Sequence, residues 1–288
     1  MNLALITQFS WDYRFGFNAL VNGLDYYENH LDVHCLYDDK SVPNDYLTQV
    51  SKSFPFKVVF YPLTDFLTKY PPYMTLPRWY FEYYKFKLAL ELSTSYDALM
   101  ITDCDYLVLS NIDSFLEAVI GTKLLMIANN PQWTLHYNEA NTEEYIRIAT
   151  SEHNFFPVMS SPFICDGKQS VELFNDVWEM GKVQLEHLNS LTRVILLQNR
   201  TTDVVLLEGT LWCDPEYRYF LERTIIQDKR YICTPHDRLM MCHGRFWARD
   251  ATERVIPNSI LADRVRNNVT ILCDEMSIIN TNWKVKLT

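Results

Sequence analysis

The sequence predicts an α/β fold, a largely parallel sheet with helices on both faces. Two observations carry that expectation. Short apolar runs alternate with amphipathic stretches through the first 130 residues, at the spacing of strand–helix–strand units. The chain has 288 residues, of which 48% are hydrophobic and 14% aromatic. That is enough apolar surface to close a sizeable core around such a sheet.

The elements follow in order. Leu3–Phe9 is a mostly apolar run that suits a buried first strand. Residues 15–27 predict a helix and 31–37 a second strand, closed by Asp38-Asp39-Lys40. A short helix is expected over 44–50 and a third strand over 56–61. Pro71, Pro72 and Pro77 break the chain before a long helix over 78–93, and Pro77 suits a first helical turn. Residues 98–102 then give a fourth apolar strand that ends at Asp103-Cys104-Asp105. The apolar run resumes at 107–109, and 124–128 predicts a fifth strand. Further on, 133–148, 171–181 and 183–197 suit helices, and 163–165 and 204–207 suit short strands.

Composition narrows the function. The formal charge is -10, which disfavours a general nucleic-acid or anionic-membrane binder. Seven cysteines without a CxxC pair fit reduced thiols better than a disulfide framework or a zinc knuckle. The first residues lack the basic flank and apolar length of a signal peptide, and no stretch has the length of a membrane span, so a cytoplasmic protein is expected. Glycine is scarce: the seven residues stand singly and form neither GxGxxG nor GxxxxGK[ST]. A chain that binds a nucleotide diphosphate without a Gly-rich cradle must neutralise the phosphates otherwise. A divalent cation held by carboxylates is the obvious means.

Asp103 and Asp105 are the carboxylates placed for it. In open α/β sheets ligands bind at the carboxyl ends of strands. Residues i and i+2 of an extended chain point to one side, so both can converge on one ion. A bare D-x-D is a common spacing and by itself describes solvated carboxylates in a turn. The apolar strand before it and the apolar run after it favour a built site.

The match is longer than the pair. Ser95-Tyr96-Asp97-Ala98-Leu99-Met100-Ile101-Thr102-Asp103-Cys104-Asp105-Tyr106-Leu107-Val108-Leu109-Ser110-Asn111-Ile112-Asp113 resembles the central segment of family 8 glycosyltransferases and of glycogenin. The resemblance covers roughly residues 78–117. It implies a GT-A fold, a Rossmann-like mixed sheet that binds a nucleotide-sugar. Residues 1–250 would be one catalytic domain, with a nucleotide-binding half at 1–130 and an acceptor half at 131–250. Residues 251–288 would be a C-terminal appendage packed on it.

The same resemblance implies roles. Thr7, Gln8 and Phe9 would contact base and ribose at the first strand end, and Tyr13 would stack on the base. Lys87, sixteen positions before Asp103, would be the basic residue that reaches the site. Met241-Cys242-His243-Gly244-Arg245-Phe246-Trp247 resembles a late His and Gly-x-x-Lys-Pro-Trp run. His243 would then join Asp103 and Asp105 on Mn²⁺ or Mg²⁺, with His236 as its rival. Cys104, Gly244 and Arg245 would lie along the diphosphate. Asp166, in the turn Cys165-Asp166-Gly167, and Asp203 would face the acceptor, with Glu208 as a further acid.

The expected activity is metal-dependent transfer of a sugar from a nucleotide diphosphate, UDP favoured, to a hydroxyl, with retention of configuration. The acceptor is open among a glycan, a lipid, a protein or a modified nucleic-acid base. A haloacid-dehalogenase-like phosphatase also uses D-x-D after an apolar strand, but on its first strand. A nucleotidyltransferase needs a Gly-rich basic loop, which residues 10–17 do not supply. A non-catalytic sugar-nucleotide-binding relative is the third alternative.

Overall fold

The computed structural model describes residues 1–71, 83–104, 106–108, 111–128, 161–183, 187–207, 210–212 and 241–243. The strand β1 (Leu3–Phe9) is buried along its whole length. Its side chains alternate between two apolar clusters: Leu3, Leu5 and Phe9 join one, Ala4 and Ile6 the other. A strand apolar on both sides must be covered on both faces and paired on both edges.

β2 (Asp32–Tyr37) and β4 (Ala98–Ile101) supply the paired edges, both parallel to β1. β3 (Val58–Pro62) lies outside β2. On the other side β4 is followed by β7 (Phe163–Asp166), β6 (Leu125–Ala128) and β8 (Val204–Leu207), completing the order β3-β2-β1-β4-β7-β6-β8. Six strands run one way and β7 runs against both its neighbours, so the sheet is largely parallel and mixed, as expected.

Helices cover both faces. α1 (Arg14–Tyr26), α2 (Asn44–Ser53) and α5 (Asp113–Val119) bury Phe17, Leu20, Val50 and Leu116 in the first cluster. α3 (Leu63–Lys69), α4 (Tyr84–Leu92), α6 (Val171–Val183) and α7 (His187–Leu197) bury Phe66, Phe86, Phe174 and Ile195 in the second. Two of these, α3 and α5, were not expected from the sequence; each has only seven residues, too few for a clear apolar period. The first part of the expected helix over 78–93, the expected helix over 133–148 and the C-terminal appendage lie outside the described residues.

The Asn-Ile-Asp of the recognised segment has a structural task. Asn111 Nδ2 donates to the carbonyls of Tyr27 and Glu28, and its Oδ1 accepts the Asp113 N–H. The Ile112 N–H reaches Asn29 Oδ1 at 2.7 Å, and the Asp113 carboxylate accepts the His30 N–H at 2.9 Å. These bonds tie the start of α5 to the turn between α1 and β2.

β5 (Tyr106–Val108) leaves the main sheet. It forms a second sheet of order β5-β10-β9 with β10 (Met241–His243) and β9 (Thr210–Trp212). Gly23 lets α1 approach it, since a Cβ there would stand 3.1 Å from the Val108 carbonyl oxygen. Among the described residues no helix is long and apolar enough to cross a membrane.

The turn from α4 into β4 is clamped by Gly167, whose N–H donates to the Asp97 carbonyl at 3.0 Å. A Cβ at Gly167 would collide with the Ser93 and Tyr96 carbonyl oxygens, and backbone atoms cannot step aside as a side-chain tip can. Gly167→Ala is therefore expected to cost about 1–3 kcal/mol, the range of overpacking, read as a lowered urea midpoint.

A buried polar network lies beside this turn. The Tyr96 hydroxyl donates to Asp32 at 2.9 Å, so it must accept from His34 Nε2 at 2.6 Å. His34 Nδ1 is then the acceptor for the Tyr61 hydroxyl at 2.8 Å, which fits the neutral ring. Burial pushes the His34 pKa down from 6.5 to about 4, against the pull of Asp32. The unfolded chain takes up that proton near pH 6.5 and the folded chain only near 4. Stability is thus present in full above 6.5 and is lost as pH falls toward 4, by on the order of 3 kcal/mol. Urea midpoints should decline over that window, and the decline should be shallower in His34→Gln; equal slopes in both proteins would contradict this account.

Candidate active site

The chain builds outward from β1 through β2 to β3, then returns to start again at β4 on the other side of β1. Such a reversal opens a crevice at the carboxyl ends of the two strands. Thr7, Gln8 and Phe9 end β1 there, and Asp103 follows β4. Pairing persists to the edge, where the Thr102 N–H donates to the Ile6 carbonyl at 2.9 Å. Ile6 is level with Ile101, and Gln8 and Asp103 each lie two residues beyond that last paired position.

Lys85 dominates the chemistry of this edge. It sits in the first turn of α4 with its side chain fully buried, and its ammonium is paired with Asp103 Oδ1. The Asp103 side chain is 29% exposed, so the pair joins the interior to the crevice. A buried ammonium is tolerated only when paired and hydrogen-bonded. The Asp103 N–H donates in turn to Ser161 Oγ at 2.8 Å.

The end of β1 carries two polar side chains, one on each face of the sheet. Among the described residues Thr7 Oγ1 and Gln8 Oε1 are buried without a hydrogen-bond partner. Buried polar atoms are nearly always satisfied in folded proteins, so these two stand out at the end of β1.

Several expected residues stand elsewhere. Phe9 stacks on Phe17 with ring centroids 4.5 Å apart and is a core residue. The Cys104 side chain also belongs to the first apolar cluster. Tyr13 lies in a 3-10 turn before α1 and packs partly against the same cluster. Lys87 sets its ammonium 4.4 Å from the Tyr70 ring centroid and 5.7 Å from that of Trp178. Two residues along a helix differ by about 200° in direction, so Lys85 and Lys87 cannot both face the sheet. The lysine at Asp103 is Lys85.

The two expected catalytic acids require a larger correction. Asp166 pairs with Ala98 at the start of β4, the edge opposite Asp103 and on the order of 15 Å from it. Its oxygens accept the Gly121 N–H at 2.6 Å and the Gln169 N–H at 2.7 Å. Asp203 precedes Val204, which is level with Leu125 and hence with Leu99, so it too lies at the amino edge. It accepts Arg200 Nε at 2.9 Å. Neither carboxylate faces the crevice. The antiparallel course of β7 inverts the sense of Asp166, and Asp203 enters its strand rather than leaving it.

Asp105, Glu208, His236, Gly244 and Arg245 lie outside the described residues. The backbone of His243 pairs with that of Tyr106, the residue after Asp105. Among the described residues no three His, Cys, Asp or Glu side chains gather as a metal site.

Two residues at this edge went unnoticed in the sequence. Lys85 shares the stripe of Leu88 and Ala89, three and four positions on, which was a readable sign that it points inward. Ser161 gave no sign.

No family model matches the chain, and no curated protein matches it in sequence. Solved structures do match in shape. Mouse xyloside xylosyltransferase 1 superposes with a TM-score of 0.58 at 12% identity, over 85% of this chain and 98% of that one. The galactosyltransferase LgtC, crystallised with donor and acceptor sugar analogs, gives 0.55 at 11% identity, over 92% and 99%. The bifunctional glycosyltransferase WbbM gives 0.59 at 13%, over 84% of this chain and 45% of that one. The chain has the GT-A fold. Within that GT-A sheet, the Lys85–Asp103 pair sits where the strand order reverses.

The pairing sets an asymmetry that denaturation can read. Asp103→Ala strands a buried ammonium and should cost about 3 kcal/mol or more, whereas Lys85→Met keeps most of the packing and should cost less than about 1.5 kcal/mol. Lys87→Met should change the urea midpoint least of the three. Equal losses for the first two variants would argue against the pairing.

Proposed function

We propose that this protein transfers a sugar from a nucleotide diphosphate donor to an acceptor hydroxyl in a metal-dependent reaction. The observation that carries the proposal is the crevice at the ends of β1 and β4. It combines a partly exposed carboxylate and a buried ammonium at the end of β4 with two buried polar side chains at the end of β1 that lack partners among the described residues. The GT-A fold supports it, as do the glycosyltransferases that share the fold. UDP-sugar is the donor class implied by the likeness to family 8, and the same likeness implies retention. The phosphatase alternative is set back by topology, because Asp103 follows the fourth strand in chain order.

Asp103 and Asp105, with His243, are the residues we assign to Mn²⁺ or Mg²⁺. The donor set fits a hard cation that bridges carboxylate and phosphate oxygens. When bound, the ion supplies Lewis-acid stabilisation of the charge that grows on the diphosphate. Lys85 holds Asp103 in place and adds positive charge to the same edge. Thr7 and Gln8 offer hydrogen bonds to the nucleoside. The acceptor oxygen attacks the anomeric carbon as its bond to the diphosphate oxygen breaks. Gly244 and Arg245 remain our candidates along the diphosphate. With Asp166 and Asp203 at the far edge, Glu208 is the acid whose place in the chain, just after β8 ends at Leu207 on the crevice side, suits an acceptor role.

Thermal stabilisation tests the donor and the metal together. UDP at a hundredfold excess over its Kd with Mn²⁺ should stabilise the protein by about 2.7 kcal/mol, and clearly less with chelator present. Asp103→Asn, compared with its own unliganded baseline, should lose the metal-dependent increment. Slow metal-dependent hydrolysis of one UDP-sugar in a donor panel would then name the sugar. A chain that binds UDP equally with and without metal would sink the assignment.

A further inference from the structure

Ser161 stands where the chain enters β7, one residue before Pro162. It is 1% exposed, and among the described residues its side chain and carbonyl bond to the stretch between Thr102 and Tyr106. Its Oγ accepts the Asp103 N–H at 2.8 Å and lies 3.5 Å from Thr102 Oγ1, to which it donates. Its carbonyl accepts the Tyr106 hydroxyl at 3.1 Å. One residue thus holds the chain immediately before Asp103, at Asp103 and beyond Asp105.

That stretch carries unusual demands. β4 ends at Ile101 and β5 begins at Tyr106 in a different sheet. The β4–β7 pairing stops at Phe163 opposite Ile101, while on the β1 side the Thr102 N–H still donates to the Ile6 carbonyl at 2.9 Å. A peptide that leaves one sheet for another has rotational freedom unless something else fixes it. The Lys85 ammonium fixes one carboxylate oxygen of Asp103 but not the turn of the main chain around it. The serine hydroxyl takes the next backbone donor along, the Asp103 N–H.

We propose that Ser161 is a positioning residue for the cation site, holding the main chain at Asp103 so that the Asp103 carboxylate is presented to the ion. It acts through Asp103 and touches no reacting atom. The proposal rests on the metal-dependent reading above.

The test uses the full-length protein, UDP and Mn²⁺. Ser161→Ala should fold with a small drop in Tm and bind Mn²⁺–UDP about five- to tenfold more weakly, the change set by one hydrogen bond of ordinary strength. Its affinity for UDP in the presence of chelator should not change, and the Mn²⁺ concentration for half-maximal UDP binding should rise. Ser161→Thr, which keeps the hydroxyl, should restore most of the Mn²⁺ dependence. A serine with a merely structural role would lower Tm and leave the Mn²⁺ titration where it was. Should Ser161→Ala fail to fold, Tyr106→Phe carries the same titration, because it removes one of the bonds and keeps the ring. An unshifted Mn²⁺ titration in the folded variant, with Asp103→Asn losing metal dependence, overturns the role of Ser161 alone. If Asp103→Asn also keeps its metal dependence, the metal-dependent reading fails and this role fails with it.

Discussion

The burial of β1 on both faces is the constraint from which the rest follows. A strand with no polar side must pair on both edges and be covered above and below. The chain meets that demand by building outward to β3 and coming back to the far side of β1. The return forces strand order to reverse between β1 and β4. The reversal opens the only part of a buried sheet that a ligand can reach without breaking pairing, the carboxyl ends of the central strands. Thr7, Gln8 and Asp103 occupy those ends.

Charge is then placed at little structural cost. Lys85 lies on the buried stripe of α4, where an unpaired ammonium would be severely destabilising. Pairing with Asp103 makes its burial tolerable and leaves a carboxylate facing outward. The pair is both part of the core and the wall of the crevice. Two buried polar side chains at the end of β1 lack partners among the described residues. Local inconsistency of this kind, in a sheet otherwise well satisfied, is expected where a fold serves a ligand.

The opposite edge of the sheet has the reverse character. Asp166 and Asp203 are consumed by backbone N–H groups and by Arg200. Gly167 and the His34 network secure the turn into β4 there. Carboxylates at the amino edge are taken up by the fold, whereas Asp103 at the carboxyl edge stays partly exposed. That division explains why two acids chosen for their turn-like surroundings proved to be structural: a turn residue at a strand's start and one at its end look alike until the strand's direction is known.

The sequence by itself determined the alternation of strands and helices, the buried first strand and the delivery of Asp103 to a strand end. Apolar runs and their spacing are local properties, and they are legible because burial imposes them residue by residue. The recognised segment from Ser95 to Asp113 was legible as well, including an Asn-Ile-Asp whose work is to tie α5 to the turn after α1. Tertiary structure alone decided that β7 runs backward, that β5 leaves for a second sheet, and that Ser161 lies against the turn. Each of these depends on which way an element runs or faces. Direction and facing are set by packing between residues far apart in the chain, as with Ser161 and Asp103, and no local pattern encodes them.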